Sequence, residues 1–262
     1  MQQNKKTIAV WFTQNLRTED NNVLITSARS GLPVIGVYFF DPKNFLETAY
    51  GFKKTERYRA QFILESLKTL RENLNRHNIA LQVYINEPQE GFVGFVKQYQ
   101  VQEIFVQKEW TYEERASIDA VKNKLDIPVR EIEDQLLYHS EDFFMIEREI
   151  PEVFTPFKQL CEKKLQVRKP KAYSHQNPVL FEPITQNSLP SIQDFGLNKF
   201  VKDPRSAFPF YGGENAALAR LEDYIWGTQN IRIYKKTRNG LIGTEYSSKL
   251  APWLSVGAIS AR

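Results

Sequence analysis

Cysteine is nearly absent from this chain: Cys161 is the only one in 262 residues, which rules out an intrachain disulfide. Histidine is almost as scarce, with three copies, and no cysteine/histidine spacing of a zinc site occurs, so no metal centre is expected. No apolar run reaches the roughly 20 residues a bilayer-crossing helix requires, so membrane insertion is not expected. The opening residues MQQNKK lead straight into the strand-like Thr7 to Phe12 without the apolar core and cleavage site of a secretion signal. A reducing, cytoplasmic setting is the expectation. Charge of one sign is also lacking: 35 basic residues face 31 acidic ones, and the net +4 tilts only slightly toward an acidic partner such as nucleic acid.

What is present is a chain that is 42% hydrophobic and long enough to bury a sizeable core. Up to about residue 135, short β-branched and aromatic runs at 7–12, 33–40, 79–85, 103–107 and 128–132 alternate with amphipathic stretches. That alternation predicts an α/β fold, a Rossmann-like open parallel five-stranded sheet with flanking helices. Ala60, Ile63, Leu64, Leu67, Leu70 and Leu74 recur at helical spacing and form one apolar stripe that packs on the sheet. Residues 136–208 carry prolines at 151, 156, 170, 178, 183, 190 and 204 and read as an interdomain connector, with one helix near VFTPFKQLCEKK. From 209 a second, helical unit begins; in ENAALARLEDYIW the buried face is expected to be Ala217, Leu218, Leu221 and Ile225. The last stretch, to AISAR, reads as a helix still running at Arg262, so a fragment of a longer, monomeric protein is expected.

The most informative segment is YKKTRNGLIGTEYSSKLAPWLSVGAISAR, residues 234–262. Pro252 stands where the first turn of a helix would begin, with Ser247, Ser248 and Lys249 just ahead of it. Free amides and the positive end of a helix dipole make such a place suited to an anion, and a pyrophosphate would fit. An ordinary polar loop capping a helix explains the same residues and, on these residues alone, is the plainer account, because most helix N-termini are simply capped. A nucleotide-binding sheet of the ATP-pyrophosphatase kind would require a phosphate motif after the first strand. Thr13-Gln14-Asn15-Leu16-Arg17 has neither glycine nor His-x-Gly-His there.

The run from Tyr234 to Arg262 resembles the segment that opens the flavin domain of cryptochromes and photolyases, in the form of their DASH-type subgroup. WFTQNLRTEDNNVL at 11–24, GVYFFDP at 36–42, RAQFILESLKTLRENL at 59–74, LYHSEDF at 137–143 and PEVFTPFKQLCE at 151–162 resemble other parts of that family in the expected order. The resemblance implies an all-helical FAD-binding domain starting at 209 and, in the whole protein, a blue-light-driven lyase. Such a lyase repairs cyclobutane pyrimidine dimers, here in single-stranded DNA, by photoinduced electron transfer. The same family contains blue-light receptors that bind FAD and nucleic acid without repair. By resemblance, Ser247, Ser248, Lys249 and Leu250 form the flavin-phosphate loop, Tyr234 contacts the cofactor and Arg238 the DNA backbone. Lys249 stands where many relatives carry arginine, and Ala251, where relatives carry serine, is expected at the helix N-cap. QKEWTYEERA at 107–116 resembles the loop whose carboxylate holds an antenna chromophore, methenyltetrahydrofolate, which makes Glu114 the first candidate and Glu113 the second. Acidic residues opening a helix also serve its dipole, which is the plainer account of both. The resemblance places no catalytic residue within this sequence, and Trp253 is expected to be buried rather than redox-active.

Overall fold

The structure is a computed structural model that describes residues 6–146, 150–178 and 184–262. Most of the N-terminal MQQNKK and Pro183 lie outside the described residues.

Five parallel strands, β1 (Thr7–Phe12), β2 (Val34–Phe40), β3 (Leu81–Ile85), β4 (Val101–Gln107) and β5 (Val129–Ile132), form one sheet in the order β3-β2-β1-β4-β5. β1 lies at the centre, with Val10 opposite Gly36 of β2 on one side and Phe105 of β4 on the other. Its residues read as a continuous apolar run because both faces are covered. Ile8, Val10 and Phe12 point toward α1 (Asn22–Ala28) and α2 (Arg57–Asn75), whose stripe from Ala60 to Leu74 is buried as the spacing predicts. Ala9 and Trp11 point the other way, toward α3 (Pro88–Tyr99) and α4 (Tyr112–Lys124), where Phe92, Phe95, Ile118 and Val121 complete a second core. A sheet built this way reverses its strand order between β1 and β4, and open α/β sheets bind ligands in the crevice at that point.

After β5 the chain loses regular structure except for α5 (Phe154–Lys164), which holds Pro156 in its first turn, and single turns of 3-10 helix. Side-chain amides replace strand pairing. Asn177 accepts from the Val34 amide at 2.7 Å and donates to the Val34 and Asn78 carbonyls. Asn187 accepts from the Val83 amide and donates to its carbonyl, covering the exposed edge of β3.

From Gly213 the chain forms α6 (Glu214–Glu222), which runs on into one π-helical turn, then α7 (Tyr234–Thr237) and α8 (Ala251–Ser255). The buried face of α6 matches the expected one only in part: Ala217 is buried and Leu221 is half-buried against the core. Glu214, Ala217 and Arg220 are buried, with Tyr224 beyond them, while Leu218 is 42% exposed. The reason is that polar partners draw Glu214 and Arg220 into the buried face, which turns Leu218 toward solvent.

The C-terminal stretch is also not a running helix. α8 stops in a Schellman turn: Gly257 has φ +65°, Ala258 donates to the Trp253 carbonyl at 2.8 Å and Gly257 to Leu254. A Cβ at Gly257 would lie 1.8 Å from the Gln14 carbonyl oxygen, so the glycine also permits contact with the loop after β1. Trp253 is fully buried against Phe62 of α2, Phe208 and Phe210, and its indole N–H donates to the Tyr211 carbonyl at 3.1 Å.

Candidate cofactor sites

At the carboxyl ends of β1, β2 and β4, where the strand order reverses, lies a cavity of about 590 Å³. Trp11, Tyr38, Phe39 and Ile118 supply apolar wall; Lys54 and Arg59 stand on its border. The antenna candidates are here. Glu113, in the first turn of α4, is exposed and ion-paired with Lys54. Glu114 accepts from Thr111 Oγ1 and from Gln14 Nε2, so it ties α4 to the loop after β1. A third acid, not singled out in the sequence, is Glu109 at the end of β4. It is 3% exposed and accepts from Thr13 Oγ1 at 2.8 Å. Burial pushes its carboxyl above the ordinary value, against the opposing hydrogen bonds from Thr13 and Gln107.

The second site is the loop 244–250. Arg220 of α6, buried beneath it, donates through Nη2 to the Thr244 and Ser247 carbonyls (2.8 and 3.1 Å) and through Nε to the Ser248 carbonyl (3.1 Å). With its carbonyls drawn inward, the loop has its donors unspent. Among the described residues, the amides of Ser247, Ser248, Lys249 and Leu250 and both serine hydroxyls have no hydrogen-bond acceptor. Lys249 takes the left-handed conformation, φ +62°, and its ammonium lies 3.5 Å from the centre of the Tyr246 ring. A turn of this kind, rich in free N–H groups, suits an anion.

The expected cap is displaced by one residue. Leu250 is the N-cap of α8 and Ala251 is already its first helical residue, exposed to solvent. The left-handed turn at Lys249 redirects the chain earlier than the position of Pro252 suggested. Tyr234 opens α7 and is 42% exposed; Arg238 caps the same helix and is also exposed. The structure therefore groups Ser247 to Leu250, leaves Tyr234 and Arg238 on the surface of the same region, and separates all of them from Glu113 and Glu114.

Between the two sites lies a buried ionic clasp. Asp134, after β5, pairs with Arg17 at 2.9 Å and Arg262 at 2.5 Å, and accepts from the Asn22 amide. Arg262 also pairs with Asp20 at 2.8 Å, and Arg17 donates to the Gly257 carbonyl at 3.2 Å. Burial would raise the Asp20 carboxyl, but hydrogen bonds from Arg262 and Ser260 outweigh it and hold it below its ordinary value. Nearby, Glu214 accepts from the Thr18 and Glu19 amides and from Asn73 Nδ2, at 2.8 to 3.0 Å. These residues fix α6 and α8 against the sheet. Nothing local in the sequence marks them, since Asp20 lies among polar residues in RTEDNN and Asp134 in EIEDQ.

Residues 8–177 match the sequence model of the family described as DNA photolyase. The chain belongs to the DNA photolyase family. A cryptochrome DASH of Gloeobacter violaceus is 34% identical over 260 residues, covering 98% of this chain and 52% of that protein. A solved cryptochrome of Synechocystis superposes with a TM-score of 0.89 at 34% identity, over 99% of this chain and 54% of that one. A photolyase from the archaeon Sulfolobus tokodaii, described with two FAD molecules and a novel light-harvesting cofactor, shares the fold: TM-score 0.72, 21% identity, 97% of this chain and 53% of that one. The chain thus spans about half the length of the relatives it matches, cryptochromes and photolyases of a flavoprotein family.

Proposed function

We propose that this photolyase-family chain supplies the antenna domain and one wall of the FAD site of a blue-light-driven protein that repairs pyrimidine dimers in single-stranded DNA. The observation that carries the reading is the loop held by Arg220, whose amides at 247–250 and hydroxyls at 247 and 248 are unspent. They fit a diphosphate, and Lys249 adds charge without the planar fork of an arginine. FAD, when bound, supplies the photoexcited electron that opens the dimer. The chain's own part is to hold and orient. Ser247, Ser248 and Leu250 hold the phosphates, Tyr234 faces the cofactor, and Arg238 is exposed for a DNA phosphate. The cavity at the ends of β1 and β4, with Glu113 and Glu114 at its border, houses the antenna, a methenyl folate.

The test uses a full-length protein containing these residues. Arg220→Met should release the loop carbonyls and lower flavin occupancy severalfold, with melting temperature recorded in parallel. Ser248→Ala should lower occupancy without a change in melting. Restoration of dimer-free oligonucleotide under blue light measures the activity itself. Full flavin occupancy in both variants would refute the phosphate assignment. Bound flavin without repair would make the parent a light receptor.

A further inference from the structure

We propose that Glu214 is a positioning residue for the flavin site: through α6 and Arg220 it fixes where the loop 244–250 stands against the sheet. The inference rests on the flavin-phosphate reading of that loop and names the residue on which the loop's placement depends. Among the described residues, every hydrogen bond that reaches 244–250 from outside residues 230–254 comes from Arg220. The guanidinium has little freedom of its own. Nε and Nη2 are spent on the Ser248, Thr244 and Ser247 carbonyls and Nη1 on Asp223 at 2.6 Å. The Phe210 and Tyr224 ring centres lie 5.0 and 5.1 Å from its Cζ. The loop therefore stands where α6 puts it.

What holds α6 is a carboxylate. The helix has nine residues, too few for stability on its own, and of its apolar residues only Ala217 is buried, with Ala216 and Leu221 half-buried. Its N-cap is Gly213, which has no side chain to cap with. Glu214, in the first turn, spends its carboxylate on other elements and is 2% exposed. Oε2 accepts from the Thr18 amide (3.0 Å), Thr18 Oγ1 (2.8 Å) and Asn73 Nδ2 of α2 (2.9 Å), and Oε1 accepts from the Glu19 amide (2.8 Å). Hydrogen bonds to a buried carboxylate are strong and directional, and these join the loop after β1 to the first residue of α6. The approach is close: at Gly213, φ +102°, a Cβ would lie 2.3 Å from Thr69 Oγ1 of α2. From Glu214 to Arg220 the helix is a rigid span of about 9 Å. A carboxylate reads amides at one end and a guanidinium reads carbonyls at the other, so a displacement at Thr18 and Glu19 is carried to the amides at 247–250. Misplacement by about 1 Å weakens a positioned site severely.

The test uses the full-length holoprotein containing these residues. Glu214→Gln keeps the size but turns one acceptor oxygen into a donor, Thr18→Val removes the hydroxyl bond alone, and Glu222→Gln, exposed on the same helix, is the control. FAD affinity is measured by titrating the apoprotein, phosphorus NMR of bound FAD reports its two phosphates, and flavin absorption reports the ring. E214Q should lose about tenfold in FAD affinity and T18V about threefold. In both, the phosphate resonances should move while flavin absorption does not, and E222Q should change neither. Folded E214Q with wild-type affinity and resonances would overturn the role of Glu214. So would weaker binding with unmoved phosphate resonances, the mark of a loss of stability alone. If E214Q does not fold, T18V decides on the same two readouts. Ser248→Ala separates the two claims: full affinity and unmoved resonances there would refute the phosphate assignment itself, whereas a response to S248A without one to E214Q would refute this inference alone.

Discussion

Asp134 is the residue whose loss the fold should feel most. Its side chain is fully buried between two arginines, and those arginines are equally hidden. Together with Asp20 they form a cluster of two positive and two negative charges that balances only while all four are present. Asp134→Asn keeps the size but leaves the buried Arg17 and Arg262 without the carboxylate they share. Removing one partner of a buried ion pair costs about 3–5 kcal/mol, because the charge left behind is uncompensated. A domain is stable by only about 5–15 kcal/mol. At about 2–4 °C per kcal/mol for a chain of this size, D134N should melt on the order of 10 °C below wild type.

The assay is thermal unfolding followed by circular dichroism at pH 7, with Glu162→Gln as the reference. Glu162 forms an exposed i,i+4 pair with Lys158 and should matter by less than about 0.5 kcal/mol. Adding Arg262→Met to D134N restores charge balance and should recover part of the loss. A D134N protein melting within about 2 °C of wild type would mean that water or relaxation satisfies the arginines, and the clasp would have no claim on the position of α8.

The same cluster sets an acid limit. Because the folded state holds Asp20 below its ordinary value, the unfolded chain binds the proton first as pH falls. Stability should therefore be full above the ordinary aspartate range and decline as pH drops through it, and Asp20→Asn should flatten that decline in melts taken between pH 3 and pH 6. Ala251→Ser should shift the melting temperature by less than about 2 °C, since residue 251 is the first helical residue and not the cap; a gain equal to that of an added N-cap would restore the original placement. The 262-residue chain should purify without yellow flavin. Its loop offers contacts to phosphates, but Tyr234, Leu241 and Ile242 beside it are exposed, so the rings of a bound flavin would remain in water. A stoichiometric flavin absorbance would contradict this.

The sheet was legible because a parallel strand covered on both faces leaves a short apolar run, and its length and β-branched and aromatic content favour a strand over a helix. All five strands fall within two residues of where those runs lie. The α2 stripe was legible for the complementary reason: Ala60 to Leu74 meet an apolar sheet, so pattern and partner agree. Where the partner is polar, the same reasoning finds only part of the buried face, Ala217 but not Glu214 or Arg220. α6 buries Glu214 and Arg220 because loop amides on one side and loop carbonyls on the other need a carboxylate and a guanidinium. Leu218, the better core residue by type, is left exposed. The helix stop was visible in principle, since Gly257 follows Ser255 and Val256, but a small residue in an apolar run reads equally well as helix packing.

The sites divide along the same line. Ser247 to Leu250 could be found because hydroxyls, a lysine and a following proline are adjacent in sequence. Arg220 could not, because it acts on their carbonyls from a helix that precedes them by more than twenty residues. Glu109 was hidden differently. Its neighbours Glu113 and Glu114 have the helix-opening position that attracts attention, yet that position gives them partners of their own, Lys54 for one and Thr111 for the other. Its burial and hydrogen bonding exist only once Thr13 and Gln135, from the loops after β1 and β5, and Gln107, from β4, have been brought around it. Hydrogen-bond capacity that is positioned but unspent, as on the amides at 247–250, arises from partners distant in sequence such as Arg220, and local spacing does not encode it.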